Sequence, residues 1–147
     1  MKIKFSKKQI SDFKELGIQT IYLFGSYAQG KYIHPLSDVD IGVVFENLEK
    51  YKNDTMKPYS KLYDIFVDVL PKSYLRRRFE LKAHEFDIVF LQFAPISLQF
   101  EAIKDSKVLY EKDREKRLDY EEYVVKRYCD LEYFYNMRRK AILERIS

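Results

Sequence analysis

The sequence predicts an α/β (α+β) fold: a small mixed sheet of about four strands flanked by helices, with a long C-terminal helix. Three observations carry this. Short runs rich in β-branched and aromatic residues recur at Ile21–Phe24, Ile41–Phe45, Phe86–Leu91 and Val108–Tyr110, each too short for a helix and bounded by turn or polar residues. Stretches with a 3.6-residue apolar period lie between them. From about residue 114 to the end there is neither glycine nor proline.

The elements follow in order. Ser6 and Gln9 stand at capping-box spacing, Ile10, Phe13 and Leu16 recur at helical intervals, and Gly17 stops the pattern, so a helix is expected at about 7–16. A strand at 19–24 follows, then a short helical turn over 26–30. A loop marked by Pro35 and Ser37 leads into a second strand at 38–45. Residues 46–54 are polar and read as a loop. Tyr59, Leu62, Tyr63, Phe66 and Leu70 then trace an amphipathic helix over roughly 56–70, with Pro58 tolerable in the first turn and Pro71 at the stop. The tail Ile65–Leu70 also fits a strand.

Lys72, Arg76, Arg77, Arg78 and Lys82 against Glu80 make 71–84 a basic segment. The arginine run reads as a solvated surface. A third strand is expected at 86–91, a helix at about 96–104 after Pro95, a short fourth strand at 108–110, and a helix from 114 onward. That last helix carries a broad stripe that includes Tyr120, Val124, Tyr128, Leu131, Phe134 and Ile142. At ~1.5 Å per residue it would run about 45 Å, longer than a domain of this size is wide. Its near part is expected to cover the domain, and its distal third, Phe134 to Ile146, to meet a protein partner or a second copy.

Length and composition narrow the class. A chain of 147 residues is one domain by the usual prior and buries a core without disulfides. Well-mixed charge, 46% apolar and 16% aromatic residues exclude a disordered chain. The amino-terminal residues lack the apolar core of a signal peptide and no stretch approaches a membrane span, so the expected location is cytoplasmic, with no membrane association. A net charge of +4 is too small to argue for direct nucleic-acid binding. Cys129, the single cysteine, is expected to be a small, partly buried side chain without chemistry, and His34 and His84 are expected to be ordinary surface residues.

The chemistry lies where the first two strands face each other. Gly25-Ser26 sits at the carboxyl end of the first strand, where a small residue and a hydroxyl let backbone N–H groups approach a phosphate. Asp38 and Asp40 stand at i and i+2 at the start of the second, so their carboxylates share a face while Val39 points away. Paired carboxylates form a hard-cation site. Phosphate grip and metal grip together indicate a nucleotide. Asp87 opens the third strand, where a lone charge in an apolar run would be costly unless paired or coordinated. If that strand lies beside the second, Asp87 completes a three-aspartate cluster able to hold two Mg²⁺ about 3.5–4 Å apart.

Leu23-Phe24-Gly25-Ser26-Tyr27-Ala28-Gln29-Gly30 and then Ser37-Asp38-Val39-Asp40-Ile41 resemble the signature of the DNA polymerase β superfamily of nucleotidyltransferases. The Phe86–Leu91 strand, the Pro95 turn and the Lys107–Glu111 strand are similar to its smallest members, the MNT-type minimal nucleotidyltransferases. The resemblance covers about residues 19–113 and implies a nucleotidyltransferase domain at 1–113 with a C-terminal helix at 114–147. It implies nucleotide-phosphate binding by Gly25 and Ser26, and catalytic metal binding by Asp38, Asp40 and Asp87. It further implies ATP as substrate, two Mg²⁺ as cofactor, and the role of an antitoxin that transfers AMP to a tyrosine of a HEPN-type toxin. The chain departs from the pattern by one extra residue between Ser26 and Asp38, by Tyr27 where arginine is frequent, and by the 71–84 insertion. Two other readings compete: an antitoxin that acts by contact alone, and an aminoglycoside-type nucleotidyltransferase, which usually carries a further acceptor-holding domain.

Overall fold

The computed structural model describes residues 3–25, 39–70 and 86–146. Four helices and four strands occur among them: α1 (Lys7–Leu16), β1 (Ile18–Phe24), β2 (Val39–Phe45), α2 (Met56–Val69), β3 (Phe86–Phe90), α3 (Ile96–Lys104), β4 (Lys107–Glu111) and α4 (Arg114–Ile146). The anticipated Ser6/Gln9 capping box forms, and Gly17 ends α1 in the left-handed region at φ 73°. The 65–70 stretch is helical to Val69. The 46–54 segment is more ordered than a plain loop. It holds a 3-10 turn, Leu48–Tyr51, because Tyr51 is buried and its hydroxyl donates to the Leu16 carbonyl at 2.7 Å. The 26–30 turn and the basic 71–84 segment lie outside the described residues.

The sheet runs β3-β2-β1-β4. β1 is antiparallel to both β2 and β4, and β2 is parallel to β3 through the connection that contains α2. All seven residues of β1 are buried, as its continuous apolar run requires of a central strand covered on both faces. One face carries Ile21, Leu23, Val39, Ile41, Val43 and Phe45 against Phe13 and Leu16 of α1 and Leu62 and Phe66 of α2. The other carries Tyr22, Phe24 and Val44 against Leu91, Ala102 of α3 and Tyr120 of α4. Gln92 ties off the end of β2, accepting from the Phe45 N–H at 2.7 Å and donating to its carbonyl at 2.9 Å.

Among the described residues, the contacts that anchor helix α4 lie in its first half. The Tyr22 hydroxyl donates to Glu121 at 3.1 Å, and Arg117 bridges Glu121 and Glu111. The Tyr120 hydroxyl donates to Gln99 at 2.7 Å, and Tyr128 stacks on Phe100 at 3.9 Å. Val124 is fully buried. Every residue from 132 to 146 is exposed, including Tyr133 at 68% and Ile146 at 77%. Cys129 corrects the expectation of partial burial: it is exposed, because the covered stripe of α4 runs through Val124 and Tyr128 and leaves residue 129 on the outer side. No helix among the described residues is long and apolar enough to cross a membrane.

Candidate active site

The two ends that the sequence singles out meet at the middle of the sheet. Phe24, the last residue of β1, pairs with Asp40 across the antiparallel ladder, and Asp40 pairs with Asp87 across the parallel one. Neighbouring strands lie about 4.8 Å apart, so the two aspartates stand side by side. Alternation puts Asp40 on the face of Gly42 and Val44, and Asp87 on the face of Val89, the face that α3 and α4 cover further along. Val39 points the other way and is fully buried, as the i, i+2 argument requires.

Gly25 closes the third side. Its φ of +84° lies in the region that L side chains rarely adopt, and a Cβ there would stand 2.4 Å from Oδ2 of Asp40. A side chain at 25 would have to turn the end of Asp40 aside and adopt a strained backbone, and glycine faces neither demand. The turn and the acidic strand therefore form one constellation.

Asp87 differs from the expectation in its surroundings. It was expected to need a partner because it opens a buried run, yet it is exposed. Among the described residues β3 is the terminal strand of the sheet, and its alternate residues Phe86 and Ile88 take the burial. Its placement follows from register rather than from the cost of a buried charge. Ser26 and Asp38 lie outside the described residues. Among the described residues no group of three His, Cys, Asp or Glu is gathered, so the cluster rests here on Asp40 and Asp87. Two hard carboxylate donors on one face fit a divalent cation such as Mg²⁺.

The family model for polymerase beta nucleotidyltransferases matches residues 7–115, which spans all four strands and the whole Gly25–Asp40–Asp87 constellation. The chain belongs to the polymerase β nucleotidyltransferase family. No curated protein matches it. Among solved structures, the nucleotidyltransferase chain is similar to a chain of a toxin–antitoxin crystallised with AMP-PNP: 23% identity, 93% of this chain and 94% of that one covered, TM-score 0.59. It is also similar to a chain of the toxin–antitoxin MntA–HepT, at 20% identity, 95% and 93% coverage and TM-score 0.54. A chain from the tri-AMPylated Shewanella oneidensis HEPN toxin in complex with MNT antitoxin matches at 19% identity, 95% and 98% coverage and TM-score 0.52. At these identities the likeness is one of fold, and it extends over α4 as well as the sheet.

One support of the nucleotidyltransferase site is absent from the sequence reading. Tyr22, read there only as part of an apolar run, lies under the site face three residues before Gly25 and is latched to α4 through Glu121. Burial and the neighbouring Glu121 carboxylate push its hydroxyl well above the usual tyrosine range. A tyrosine amid β-branched residues was the available signal, since a buried phenol needs a partner.

Proposed function

We propose that the chain is a Mg²⁺-dependent nucleotidyltransferase that moves AMP from ATP to a tyrosine hydroxyl of a HEPN-type partner protein and thereby acts as its antitoxin in the cytoplasm. The observation that carries this is the register pair Asp40–Asp87 with Gly25 packed against Asp40, in a chain of the nucleotidyltransferase family. Residues 1–113 would be the catalytic unit and 114–147 the helix that joins it to the partner.

Gly25 and Ser26 hold the triphosphate on the β1 side. Asp38, Asp40 and Asp87 would hold two Mg²⁺, which would supply charge neutralisation for the phosphates and lower the cost of ionising the acceptor. The acceptor oxygen forms a bond to the α-phosphorus, the bond from that phosphorus to the bridging oxygen of the β-phosphate breaks, and pyrophosphate leaves. Asp87 takes the acceptor's proton, a role its exposed position on the terminal strand suits. The AMP-PNP held by one structural neighbour and the AMPylated toxin in another support the choice of nucleotide and of acceptor class.

The test is transfer of label from α-labelled ATP to the HEPN-type partner with Mg²⁺ present. Label that disappears with Asp40→Asn or Asp38→Asn is the expected result. A stable complex that gains no label would instead support the second reading, an antitoxin acting by contact, which the exposed end of α4 favours.

A further inference from the structure

The far end of α4 carries cations as well as apolar side chains. Arg138, Arg139, Lys140 and Arg145 stand against the single acid Glu144 between residues 133 and 146, whereas acids outnumber bases between Asp119 and Glu132. The helix dipole accounts for Arg145 in the last turn, but its influence fades before Arg138, Arg139 and Lys140 are reached. We propose that residues 133–146 seat in a groove of the HEPN-type partner that is apolar along its floor and lined by Asp or Glu at its rim, and that this charge selects the partner over a second copy of the chain. The proposal rests on the antitoxin reading above.

Continuity places the seat. Val124, Tyr128, Leu131, Tyr135, Ile142 and Ile146 follow one another at steps of three, four or seven residues and so form one stripe of the helix. The chain itself closes the first half of that stripe, where Val124 is buried and Tyr128 stacks on Phe100 of α3. From Tyr135 onward the stripe is exposed. Tyr133 and Met137, one turn apart, are exposed on the opposite side. Apolar surface on two sides calls for enclosure in a groove rather than contact with a plane. A lipid surface suits a helix with one polar face, and nucleic-acid bases would stack on the tyrosines but leave Ile142, Leu143 and Ile146 in water.

Charge names the chemistry of the rim. The side chains of Tyr135, Ile142 and Leu143 line one shallow depression together with Arg138, Arg139 and Glu132. An occupant of that depression covers apolar and cationic groups at once, and cations brought there would be repelled. A two-fold copy sets the same patch against itself. Because the domain already covers the stripe at Val124 and Tyr128, stripe-to-stripe pairing of two copies is confined to the distal halves, where it brings the four cations of each together. Carboxylates of a partner pair with Arg138 and Arg139 while its apolar floor takes Tyr135 and Ile142.

The experiment measures binding of the HEPN-type partner by calorimetry at low and high salt, with the full chain, the double variant Arg138→Glu/Arg139→Glu and a chain lacking 134–147. Both arginines are exposed and lie beyond the contacts that anchor α4, so melting temperature checks that the variants fold. The expected result is an affinity lowered about tenfold or more by charge reversal, with a smaller loss of affinity on adding salt than the parent shows. Carbodiimide, which joins an amine to a carboxylate in contact, is expected to couple Lys140 to an Asp or Glu of the partner. Affinity within about twofold of the parent and an unchanged salt dependence in the double variant overturn the acidic rim, and loss of binding on deletion then keeps the interface. A complex that survives the deletion overturns the interface itself, and no complex with the parent chain overturns the antitoxin reading with it. Binding of the parent to a single-stranded oligonucleotide or to phosphatidylserine vesicles that charge reversal abolishes, with partner affinity unchanged, gives the surface to that ligand instead. A mass in light scattering that doubles with concentration of the parent gives it to a second copy.

Discussion

The Cβ that any other residue would bring to position 25 falls 2.4 Å from Oδ2 of Asp40, so Gly25 and Asp40 are fitted to each other across the β1–β2 ladder. Gly25→Ala must either displace that carboxylate or shift the turn, and the alanine must also adopt a φ of +84°. Backbone strain alone costs about 1–2 kcal/mol. Transfer activity is expected to fall far more than stability does. Measuring both together checks this, and an alanine variant with parental turnover would refute the fitted relationship.

Asp40 and Asp87 face each other in register but differ in exposure: Asp40 is half-buried and Asp87 exposed. Asp87→Asn is therefore expected to abolish transfer and weaken Mg²⁺ binding while leaving the melting temperature where it was. Asp40→Asn is expected to abolish transfer as well. Mg²⁺ titration followed by thermal shift reads the first effect in the absence of turnover, because a cation held by the native site raises its stability. A Mg²⁺-induced shift of full size in the Asp87→Asn chain would remove that residue from the metal set.

Most of this arrangement is legible in the sequence, for identifiable reasons. Central strands are buried on both faces, so β1 and β2 read as unbroken apolar runs, and an i, i+2 carboxylate pair at the head of such a run has a defined face. The capping box of α1 and the stop at Gly17 are local chemistry and need no tertiary context. Register is different. Nothing within residues 86–90 says that Asp87 pairs with Asp40 rather than with a neighbour, and that fact comes from the parallel β2–β3 crossover. The exposure of Asp87 and of Cys129 was misjudged for the same reason, since sheet order and helix rotation are tertiary.

Gly42 marks where the site face becomes core. A Cβ there would meet Leu91 Cδ1 at 2.8 Å and Cγ at 3.1 Å, and Leu91 is fully buried. Gly42→Ala overpacks the layer between β2 and α3 at a cost of about 1–3 kcal/mol. Denaturant unfolding would show a lower midpoint at unchanged slope. A double variant, Gly42→Ala with Leu91→Ala, is expected to recover less than its parts lose, because it trades the clash for a cavity.

The Tyr22–Glu121 bond gives the fold an alkaline limit. Burial, then Glu121, raises the Tyr22 hydroxyl above the ordinary value of 10.0, and burial likewise raises Tyr120. A raised folded-state pKa means that the native chain keeps protons the unfolded chain releases. The stabilisation is complete below about pH 10 and declines as pH climbs from there toward the folded values, by up to about 1.4 kcal/mol per pH unit for each group. Tyr22→Phe removes one such contribution. Its unfolding free energy is expected to fall less steeply between pH 10 and 11.5 than that of the parent; equal slopes would show that Tyr22 ionises as freely folded as unfolded.

The far end of α4 separates stability from assembly. Residues 132–146 are exposed throughout, and a helix of that length without cover is marginal in water. Tyr133, Phe134, Tyr135, Met137, Leu143 and Ile146 nonetheless present apolar surface there. The anchoring contacts, Tyr22–Glu121, Tyr120–Gln99 and Tyr128 on Phe100, all lie before it. Deleting 134–147 is therefore expected to leave the melting temperature of the domain nearly unchanged while abolishing binding of the HEPN-type partner. Scanning calorimetry and light scattering of the mixed proteins read the two effects. Amide exchange over 134–146 is expected to be fast in the free chain and slowed in the complex. Slow exchange in the free chain, with a larger mass by light scattering, would assign the surface to a second copy instead, and a complex that survives the deletion would place the interface elsewhere on the domain.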